Sequence, residues 1–537
     1  MTNYGVWILA FAIIYTFILI AAGRFSRNRA SKKDGYFVGG RTFNKWIVAF
    51  CITGLFSGSA FIAILELSYL TGVSAIWYGI AEMVQIFIIA LLIIRSFRKK
   101  MLITVSGLIG DEYGRAARGI SGAITAFTFP MWSVATSIAF ASAIHVFTGI
   151  SLSLSVAFTA ILLFIYLQAG GMWSIALTQT LNCILFLLMF IIGIIAFIIN
   201  PGVDGLRELA VNDPSMFSFT GVGIQVIIAW FGTFLVNVVL AQAAFQMALS
   251  CKTPEEGQKG LIYAGFMAIP FIICGTLIGL AAAIVVPNGQ AGLIAVPQYL
   301  MEVLPAPLVG LFFLGVWGCA LSWGAPCQFS GATSLGRDVG SALNPKATDK
   351  QLIKYTKVSL LILTFLMIGF GMLRTEQSAW WNVLAWTMRN SATFSPVVAA
   401  LFWPVVSKRA VNASLFTGFT SGLLWYYLGD WQPNEFYLNI HPVWIGSSIN
   451  IMTIIITTLF DRKSNWMINA GHRIKRGYAT VTAFVAVTTV SIIYFERLHE
   501  MGLTGLLLFI ISLLFFIVAI IFIRPKSGKE HALSSAA

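Results

Sequence analysis

The sequence predicts an all-α polytopic membrane protein with about 15 transmembrane spans. Of its 537 residues, 58% are hydrophobic and only 10% are charged, and the mean hydropathy is +0.86. Soluble domains carry about 25% charged residues, so most of this chain must lie in a lipid bilayer. Apolar runs of about 20 residues recur along the chain, and each is long enough to cross the membrane.

The apolar runs place the spans in order along the chain. The first run lacks a basic leader and a small-residue cleavage site, so we predict a retained helix rather than a signal peptide. The predicted spans are 4–23, 45–71, 75–95, 118–147, 151–169, 176–200, 223–249, 261–286, 306–335, 355–373, 381–406, 411–429, 442–460, 478–495 and 503–523. No linker or low-complexity stretch divides them.

The loop charges predict the orientation of the chain. With the N-terminus outside, the loops that fall inside carry most of the basic residues, as the positive-inside rule requires. The longest outer loop, 201–221, holds Asp204, Glu208 and Asp213 against a single Arg207. We therefore predict a multi-pass protein of the cell inner or plasma membrane with a cytoplasmic C-terminus. The net charge of +14 belongs to these loops, which predicts a lipid bilayer and no nucleic acid as a partner.

No residue pattern predicts an enzyme. The 6 cysteines are scattered and lack a CxxC pair, and the 5 histidines lack metal-ligand spacing. The chain also has neither a nucleophile elbow nor a phosphate-binding loop. We expect no enzyme activity, no metal site and no cofactor, apart from a coupling ion such as Na⁺ or H⁺. A protein partner is not predictable from these residues.

Glu66 is an acid inside a predicted span. A carboxylate at membrane depth costs several kcal/mol (roughly 3 or more) unless it faces a wet cavity or a partner. The same span contains Gly54, Ser57, Gly58 and Ser59, which weaken a helix in its middle. A broken, polar helix with a buried acid is typical of a solute pathway and not of a simple membrane anchor.

Two more ionisable residues lie well inside predicted spans. Glu82 follows Trp77 in the third span, and Arg389 follows Trp386 in the eleventh. One interpretation is a buried ion pair that locks helices together, and the other is a functional site. Two acids and one arginine cannot all pair, so one acid is either protonated or neutralised by a ligand.

Polar and small residues mark three further spans. Pro326 removes a backbone donor in the middle of the ninth span. Small residues there also permit tight packing, which is the structural alternative to a functional break. The polar residues of the sixth and seventh spans are Thr178, Gln179, Thr180, Asn182, Asn237, Gln242 and Gln246.

Five segments in chain order resemble the sodium/solute symporter family, which includes bacterial sugar, proline and sialic acid symporters. They are 34–41 (DGYFVGGR), 170–179 (GGMWSIALTQ), 241–260 (which contains AQAAFQM and EEGQKG), 333–338 (TSLGRD) and 395–403 (SPVVAALFW). The resemblance covers roughly residues 1–430. It implies a LeuT-type core of ten helices in two inverted repeats, formed by spans two to eleven.

The resemblance divides the chain into four parts. Residues 1–44 hold the first helix and a cytoplasmic loop, and 45–406 form the transporter core. Residues 407–523 add peripheral transmembrane helices, and 524–537 are a cytoplasmic tail. The implied substrate site lies beside the broken second span, where discontinuous helices leave backbone groups unpaired. Its implied residues are Ala60, Glu66, Glu82, Gln242 and Arg389.

The sequence departs from the family at the residues that the resemblance implies for sodium. The family's main site takes backbone oxygens near Thr53 and Phe56 and hydroxyls from an A-x-x-S-[ST] pattern. This chain reads Cys319-Ala-Leu-Ser322-Trp323 there, so one hydroxyl is lost. A further family aspartate is Gln179 here. Sodium requires about five or six oxygens, so these residues predict a degenerate sodium site.

These features predict a secondary active transporter of a small polar organic solute that works by alternating access. A carboxylated or zwitterionic solute fits Arg389, which could bind a carboxylate through two hydrogen bonds. Proton coupling through Glu66 or Glu82, or transport without a coupling ion, is expected in place of sodium coupling. One alternative is a sodium symporter whose ion site has shifted to Thr178, Asn182 or Ser330. Another is a transporter-like sensor that signals through a separate partner.

Overall fold

The computed structural model describes residues 2–25, 33–99, 103–168, 171–288, 292–374, 378–432, 435–461 and 466–525. Almost all of them are helical. The α-helices are α1 (Asn3–Phe25), α2 (Lys33–Val38), α3 (Lys45–Ile52), α4 (Gly58–Thr71), α5 (Ile76–Ile88), α6 (Ile94–Lys99), α7 (Val105–Tyr113), α8 (Arg115–Thr148), α9 (Leu152–Leu167), α10 (Gly171–Ile199), α11 (Gly202–Asn212), α12 (Ile224–Asn237), α13 (Gln242–Ala248), α14 (Pro254–Met267), α15 (Ile269–Val285), α16 (Gly292–Val303), α17 (Ala306–Thr333), α18 (Gly340–Leu343), α19 (Asp349–Leu373), α20 (Ser378–Phe402), α21 (Lys408–Leu428), α22 (Pro442–Phe460), α23 (Ile474–Ile493), α24 (Phe495–Glu500) and α25 (Thr504–Phe522).

Each predicted span coincides with a helix or with a pair of consecutive helices. By length and composition, 10 of the described helices could cross a membrane, or 11 with the bent pair α12–α13 as one span. This number is lower than the prediction because Lys45–Lys99 counts once, although it contains two predicted spans. In addition, α9 has only 16 residues, and α20 and α21 are too polar to be included.

Several of the described membrane helices are interrupted, and two of these interruptions position residues of the candidate site. Between α3 and α4 the chain forms a π-helical turn, Thr53–Ser57, in the span where glycine and serine predicted a weak helix. Between α12 and α13 the helix axis bends by 48°, with residues 238–241 in the break. Breaks of this kind free backbone groups for other contacts, because the regular i to i−4 bonding stops there.

The membrane helices pack in two groups. In the first, the α3–α4 helix packs on α14 and α15, and α5 packs on α12. In the second, α8 packs on α17, α9 and α19. The helix α10 packs on α17, whereas α20 packs on α8 and reaches α12 and α4, so α20 contacts both groups. The breaks of α3–α4 and α12–α13 both belong to the first group.

The C-terminal helices pack next to α20. The helix α22 packs on α20, α21 and α25, and α23 packs on α25. A short antiparallel pair joins β1 (Trp466–Ile468), between α22 and α23, to β2 (Ile523–Pro525), which follows α25. The division of the chain into four parts remains a prediction. The predicted tail beyond Pro525 and the basic residues of 26–32 lie outside the described residues.

Candidate functional site

A cluster of buried aromatic side chains lies where the broken helix α3–α4 meets α5, α8, α12, α17 and α20. We call it the aromatic cluster, and it consists of Phe56, Tyr78, Trp132, Phe234, Trp323 and Trp386. The centroids of successive rings are 4.6 to 6.3 Å apart, from Phe56 through the tryptophans to Tyr78 and Phe234. The cluster therefore connects the two helix groups at the level of the break in α3–α4.

Several polar atoms of the cluster and its neighbours have no hydrogen-bond partner among the described residues. They are the indole nitrogens of Trp323 and Trp386, Oδ1 of Asn382 and Oε1 of Glu82. Asn382 uses its other amide atom, because Nδ2 donates to the Tyr78 hydroxyl over 3.2 Å. Buried polar groups nearly always have a partner. These donors and acceptors are therefore suited to the polar groups of a ligand.

Glu82 is the acid of this region. It lies one helical turn after Tyr78 on α5 and is 2% exposed. No described residue forms an ion pair with it, since the ion pairs among the described residues join Arg118 to Asp111, Arg207 to Asp204 and Arg337 to Asp338. A buried carboxyl with no cationic partner can carry a proton or balance a positive ligand.

Arg389 is fully buried one turn after Trp386 on α20. Its Nη2 donates to the backbone oxygen of Leu240 over 2.6 Å, inside the break between α12 and α13. Its guanidinium carbon lies 5.3 Å from the ring centroid of Phe129 and 5.5 Å from that of Trp132. The predicted ion pair is not present, because within the described residues Arg389 bonds to no acid.

Glu66 occupies a different position from Glu82 and Arg389. It lies near the end of α4, where it is 2% exposed. Its Oε2 accepts a hydrogen bond of 2.6 Å from the Ser378 hydroxyl and a longer one, 3.4 Å, from the Ala379 amide. A carboxylate at a helix N-terminus is favourable because the first amides lack partners in the helix. Glu66 thus ties α4 to the first turn of α20.

Gln242 and Ala60 complete the predicted substrate residues. Gln242 begins α13, and both of its amide atoms are bonded: Oε1 accepts from the Val105 amide over 3.0 Å, and Nε2 donates to Ser330 and Ser334. Gln242 therefore links α13 to α7 and α17. Ala60 is buried in α4, three residues after the π-helical turn ends at Ser57.

The residues implied for sodium come together at the break in α3–α4, where both Ser322 oxygens accept hydrogen bonds but Oε1 of Gln179 has no partner among the described residues. Gln179 Nε2 donates to the backbone oxygen of Ser322 over 2.7 Å. Asn182 Nδ2 donates to the Ser322 hydroxyl over 2.6 Å and to the Gly318 backbone oxygen over 3.1 Å. Asn182 Oδ1 accepts from the Tyr15 hydroxyl over 2.6 Å. We call this group of Tyr15, Gln179, Asn182 and Ser322 the amide network.

The remaining residues at this break offer sodium little. The Thr53 hydroxyl donates to the sulfur of Met267 over 3.6 Å, and the ring of Trp323 contacts Phe56. Cys319 packs against the helix break, where a methyl group on Gly58 would lie 3.5 Å from its Cα. Side-chain donors thus occupy the Ser322 oxygens, whereas Oε1 of Gln179 remains without a hydrogen-bond partner among the described residues.

The shifted-site alternative uses oxygens that are also bonded. The Thr178 hydroxyl pairs with the Tyr166 hydroxyl over 2.6 Å, and the Asn182 side-chain oxygen accepts from Tyr15. The Ser330 hydroxyl donates to Oε1 of Gln246. An ion at the Asn182 oxygen would compete with the Tyr15 hydroxyl, whereas the Ser330 hydroxyl donates its hydrogen bond and keeps its lone pairs.

Several residues of the site did not emerge from sequence analysis. The aromatic cluster was missed because aromatic residues make up 14% of the chain, and most of them serve packing. The signal that could have identified it is the spacing of Tyr78 and Glu82, one helical turn apart on α5. Ser378 and Leu240 carry no local signal, because they act through contacts with residues far away in the chain.

The broken helices, the two packing groups and the buried polar residues between them define a membrane transporter, not an enzyme. The model of the sodium:solute symporter family matches residues 36–418, and this chain belongs to that family. It is a multi-pass membrane protein and a secondary active solute transporter. The family makes Na⁺ a candidate coupling ion.

Two comparisons support this assignment. The chain is 23% identical to the human high affinity choline transporter 1 over 470 residues, covering 81% of this chain and 79% of that protein. A solved Na⁺-coupled sialic acid symporter in a substrate-bound outward-open state aligns with a TM-score of 0.68 and 17% identity, covering 85% of this chain and 98% of that one. The fold is thus the LeuT-type core that the resemblance implied.

A third comparison gives a weaker alignment. The closed conformation of Mhp1, a nucleobase-cation-symport-1 family transporter, aligns with a TM-score of 0.45 and 13% identity. It covers 78% of this chain and 92% of that one.

Proposed function

We propose that this transporter moves a small organic solute with a positively charged amine, such as a quaternary ammonium group, through the aromatic cluster. The observation that carries the proposal is the combination of three buried tryptophans with a buried acid, Glu82, that has no cationic partner. Aromatic faces attract ammonium groups, and sites for quaternary ammonium ligands commonly use such rings. The choline transporter among the relatives supports the same class of solute.

The acid and the rings have complementary roles in this proposal. Tyr78, Trp132, Trp323 and Trp386 surround the amine with aromatic faces, whose attraction is worth about 0.5–2 kcal/mol per contact. Glu82 supplies the opposite charge, which lowers the cost of taking a cation out of water. A neutral sugar would gain little from this arrangement.

Glu66, Gln242 and Ala60 remain candidate residues of the pathway with separate roles. Glu66 holds the first turn of α20, so it acts on the width of the outer entrance. Gln242 holds α13 against α7 and α17, so it acts on the inner exit. Ala60 has a small side chain, which leaves space beside α4 where this helix approaches the aromatic cluster.

Coupling by protons, or transport without a coupling ion, is the second part of the proposal. The amide network supports it, because the Gln179 and Asn182 amides donate to the Ser322 oxygens. Glu82 is the proposed proton carrier, since no described residue pairs with it. The alternative is sodium coupling at a site elsewhere in the chain, which the family makes reasonable.

The proposed orientation places the N-terminus outside and the C-terminus in the cytoplasm, in the inner or plasma membrane. The basic loops support this arrangement. It puts the Glu66 contact with α20 near the outer surface and the Gln242 contacts near the inner surface. Cysteine labelling at the two termini in intact cells would test it.

The test of the substrate class is uptake into proteoliposomes of labelled choline and trimethylglycine, with glucose and succinate as solutes outside the class. We expect uptake of an ammonium compound alone. The W386L variant should raise its KM by about 3- to 30-fold, since one ring contact is lost. The control is W403L, because Trp403 is equally buried but contacts Phe516 and Ile523, far from the cluster.

The same vesicles test the coupling. The accumulated level of solute is measured with a pH gradient alone, with a sodium gradient alone and with neither gradient. The proposal expects no sodium requirement. A strict need for sodium with no response to pH would contradict proton coupling and favour the alternative.

A further inference from the structure

Arg389 is a buried cation without a counter-charge in the part of the chain that the structure describes. Removing a guanidinium from water is costly, and a hydrogen bond and ring contacts offset that cost only in part. Its partners are the Leu240 backbone oxygen at 2.6 Å, a long contact of 3.5 Å to Asn390 Oδ1, and two aromatic rings. None of these carries a negative charge.

A second observation comes from the donors that remain. Arg389 Nε and Asn390 Nδ2 are buried and have no hydrogen-bond partner among the described residues. Both residues are 0% exposed and adjacent on α20. Two free N–H donors on a buried cation and its neighbour are suited to the oxygens of an anion, because bonds between a charged donor and a charged acceptor are the strong ones.

The position of these donors relates them to the aromatic cluster. Arg389 lies three residues after Trp386, and its guanidinium faces the ring of Trp132. Glu82, on α5, is the acid of the same region. An acid and an arginine that do not pair with each other, with aromatic rings between their helices, form a dipolar environment. That environment matches a solute carrying both signs of charge.

We propose that Arg389 and Asn390 form a subsite for a singly charged anion, and that the substrate supplies this anion as a carboxylate. The inference rests on the proposed function and narrows it from an organic cation to a zwitterion. A free halide has the same charge and could be the source instead, with a simple ammonium solute as the transported species. The experiment separates the two sources.

The subsite also contacts the break in α12–α13. The Leu240 oxygen that accepts from Arg389 lies among residues 238–241, where the helix bends by 48°. An anion on the unpartnered Nε would draw on the charge of the same guanidinium whose Nη2 donates to Leu240. Binding is therefore expected to change how firmly α20 holds the break, and so to link substrate binding to the movement of the first helix group.

The experiment uses matched ligands on the purified full-length protein. Choline and trimethylglycine share the trimethylammonium group and differ in a hydroxyl versus a carboxylate. Acetate is the probe for the carboxylate alone. Thermal shift and competition for uptake are measured in chloride and in gluconate buffers, for the wild type and for R389Q, R389K and N390L. The control is T387V, because the Thr387 hydroxyl bonds to Val383 of its own helix.

We expect trimethylglycine to bind at least 10-fold more tightly than choline. R389Q should remove this preference, and R389K should retain part of it because the positive charge remains. Choline binding that requires chloride, with the requirement lost in R389Q, would support the subsite with halide as the source.

Two outcomes distinguish a failure of the anion subsite from a failure of the proposed substrate class. Equal binding of choline and trimethylglycine in the wild type and all variants, without a chloride effect, would overturn the subsite and leave the ammonium site intact. If neither binds but acetate stabilises the wild type and not R389Q, the proposed substrate class fails and the anion subsite stands. The absence of any stabilisation that depends on Arg389 overturns the subsite, and R389K guards against a folding defect of R389Q.

Discussion

Gln179 donates its amide Nε2 to the backbone oxygen of Ser322 over 2.7 Å, across the interface of α10 and α17. On the other side of the amide, a methyl group placed on Gly54 would lie only 2.0 Å from Gln179 Oε1. The carboxamide therefore fills the space between the π-helical turn and α17. A neutral amide N–H here satisfies an oxygen that a cation would otherwise bind.

Replacing Gln179 with Glu should make the protein respond to sodium. The carboxylate cannot donate to Ser322, so a buried acceptor loses its partner at a cost of about 1–3 kcal/mol. We expect Q179E to have a lower melting temperature than the wild type in potassium buffer and to regain part of it in sodium buffer of equal ionic strength.

The matched control for this change is Q225E. Gln225 also donates its amide to a backbone oxygen, that of Asn439 over 2.8 Å, but at the surface. It should show no difference between sodium and potassium. A wild type that sodium already stabilises would contradict the proposed role of the amide network.

Glu66 and Ser378 should behave as a coupled pair. E66A and S378A each remove the same 2.6 Å hydrogen bond, so their effects on the melting temperature should not add. We expect a coupling of about 1–2 kcal/mol, typical of a buried bond to a charged acceptor. Additive effects in the double variant would mean that Glu66 acts mainly through other contacts.

The variant E66Q tests the second role predicted for this residue. Glutamine keeps an oxygen that accepts from Ser378 but cannot exchange a proton. If Glu66 were the proton carrier, E66Q would abolish pH-driven accumulation and leave exchange intact. Because the carboxylate is bonded at a helix start, we expect accumulation to persist with altered kinetics.

Glu82 is the residue at which pH-driven accumulation should fail. E82Q retains the shape of the side chain but removes the titratable group. In proteoliposomes we expect counterflow exchange to continue in E82Q at a raised KM, because the amide cannot balance a cationic solute, while an imposed pH gradient no longer concentrates the solute. The control is E302Q, because Glu302 is an exposed acid on α16. Wild-type accumulation in E82Q would exclude Glu82 as the carrier.

His441 should make stability depend on pH. Burial lowers its pKa from 6.5 to about 3, and its Nδ1 accepts from the Val443 amide over 3.2 Å at the start of α22. In the folded protein the ring therefore stays neutral, whereas in the unfolded chain it binds a proton below pH 6.5. Its contribution to stability is fully present above pH 6.5 and is lost as the pH falls toward about 3.

The measurement is the melting temperature of the wild type and of H441N between pH 8 and pH 5. The asparagine can still accept from the Val443 amide but does not titrate, so its melting temperature should fall less over this range. The control is H499N. Parallel curves for the wild type and H441N would show that His441 does not titrate on unfolding.

Hydropathy predicted the positions of the helices well, because the bilayer imposes both length and apolarity on every span. The break between α3 and α4 was predictable from Gly54, Ser57 and Gly58. The break between α12 and α13 was not, since residues 238–241 read Val-Val-Leu-Ala and contain neither glycine nor proline. Packing against α20 and α17 accompanies that bend, and sequence patterns do not report such contacts.

The candidate residues were predictable one at a time, and their pairing was not. Glu66, Glu82 and Arg389 stood out because charges are rare in spans. The partner of Glu66 lies 312 residues away, and the Leu240 oxygen that binds Arg389 lies 149 residues away. Only the folded chain shows that Glu66 bonds to α20, whereas Oε1 of Glu82 has no hydrogen-bond partner among the described residues.

One helix, α20, is in contact at three depths: with Glu66 at its first turn, with the aromatic cluster at Trp386, and with the α12–α13 break at Arg389. A rigid rod that is held at three points cannot tilt at one of them alone. A force that acts on the middle of α20 must therefore also act on its outer end. A solute that binds in the membrane midplane would in this way move the entrance through one helix, without a separate gate.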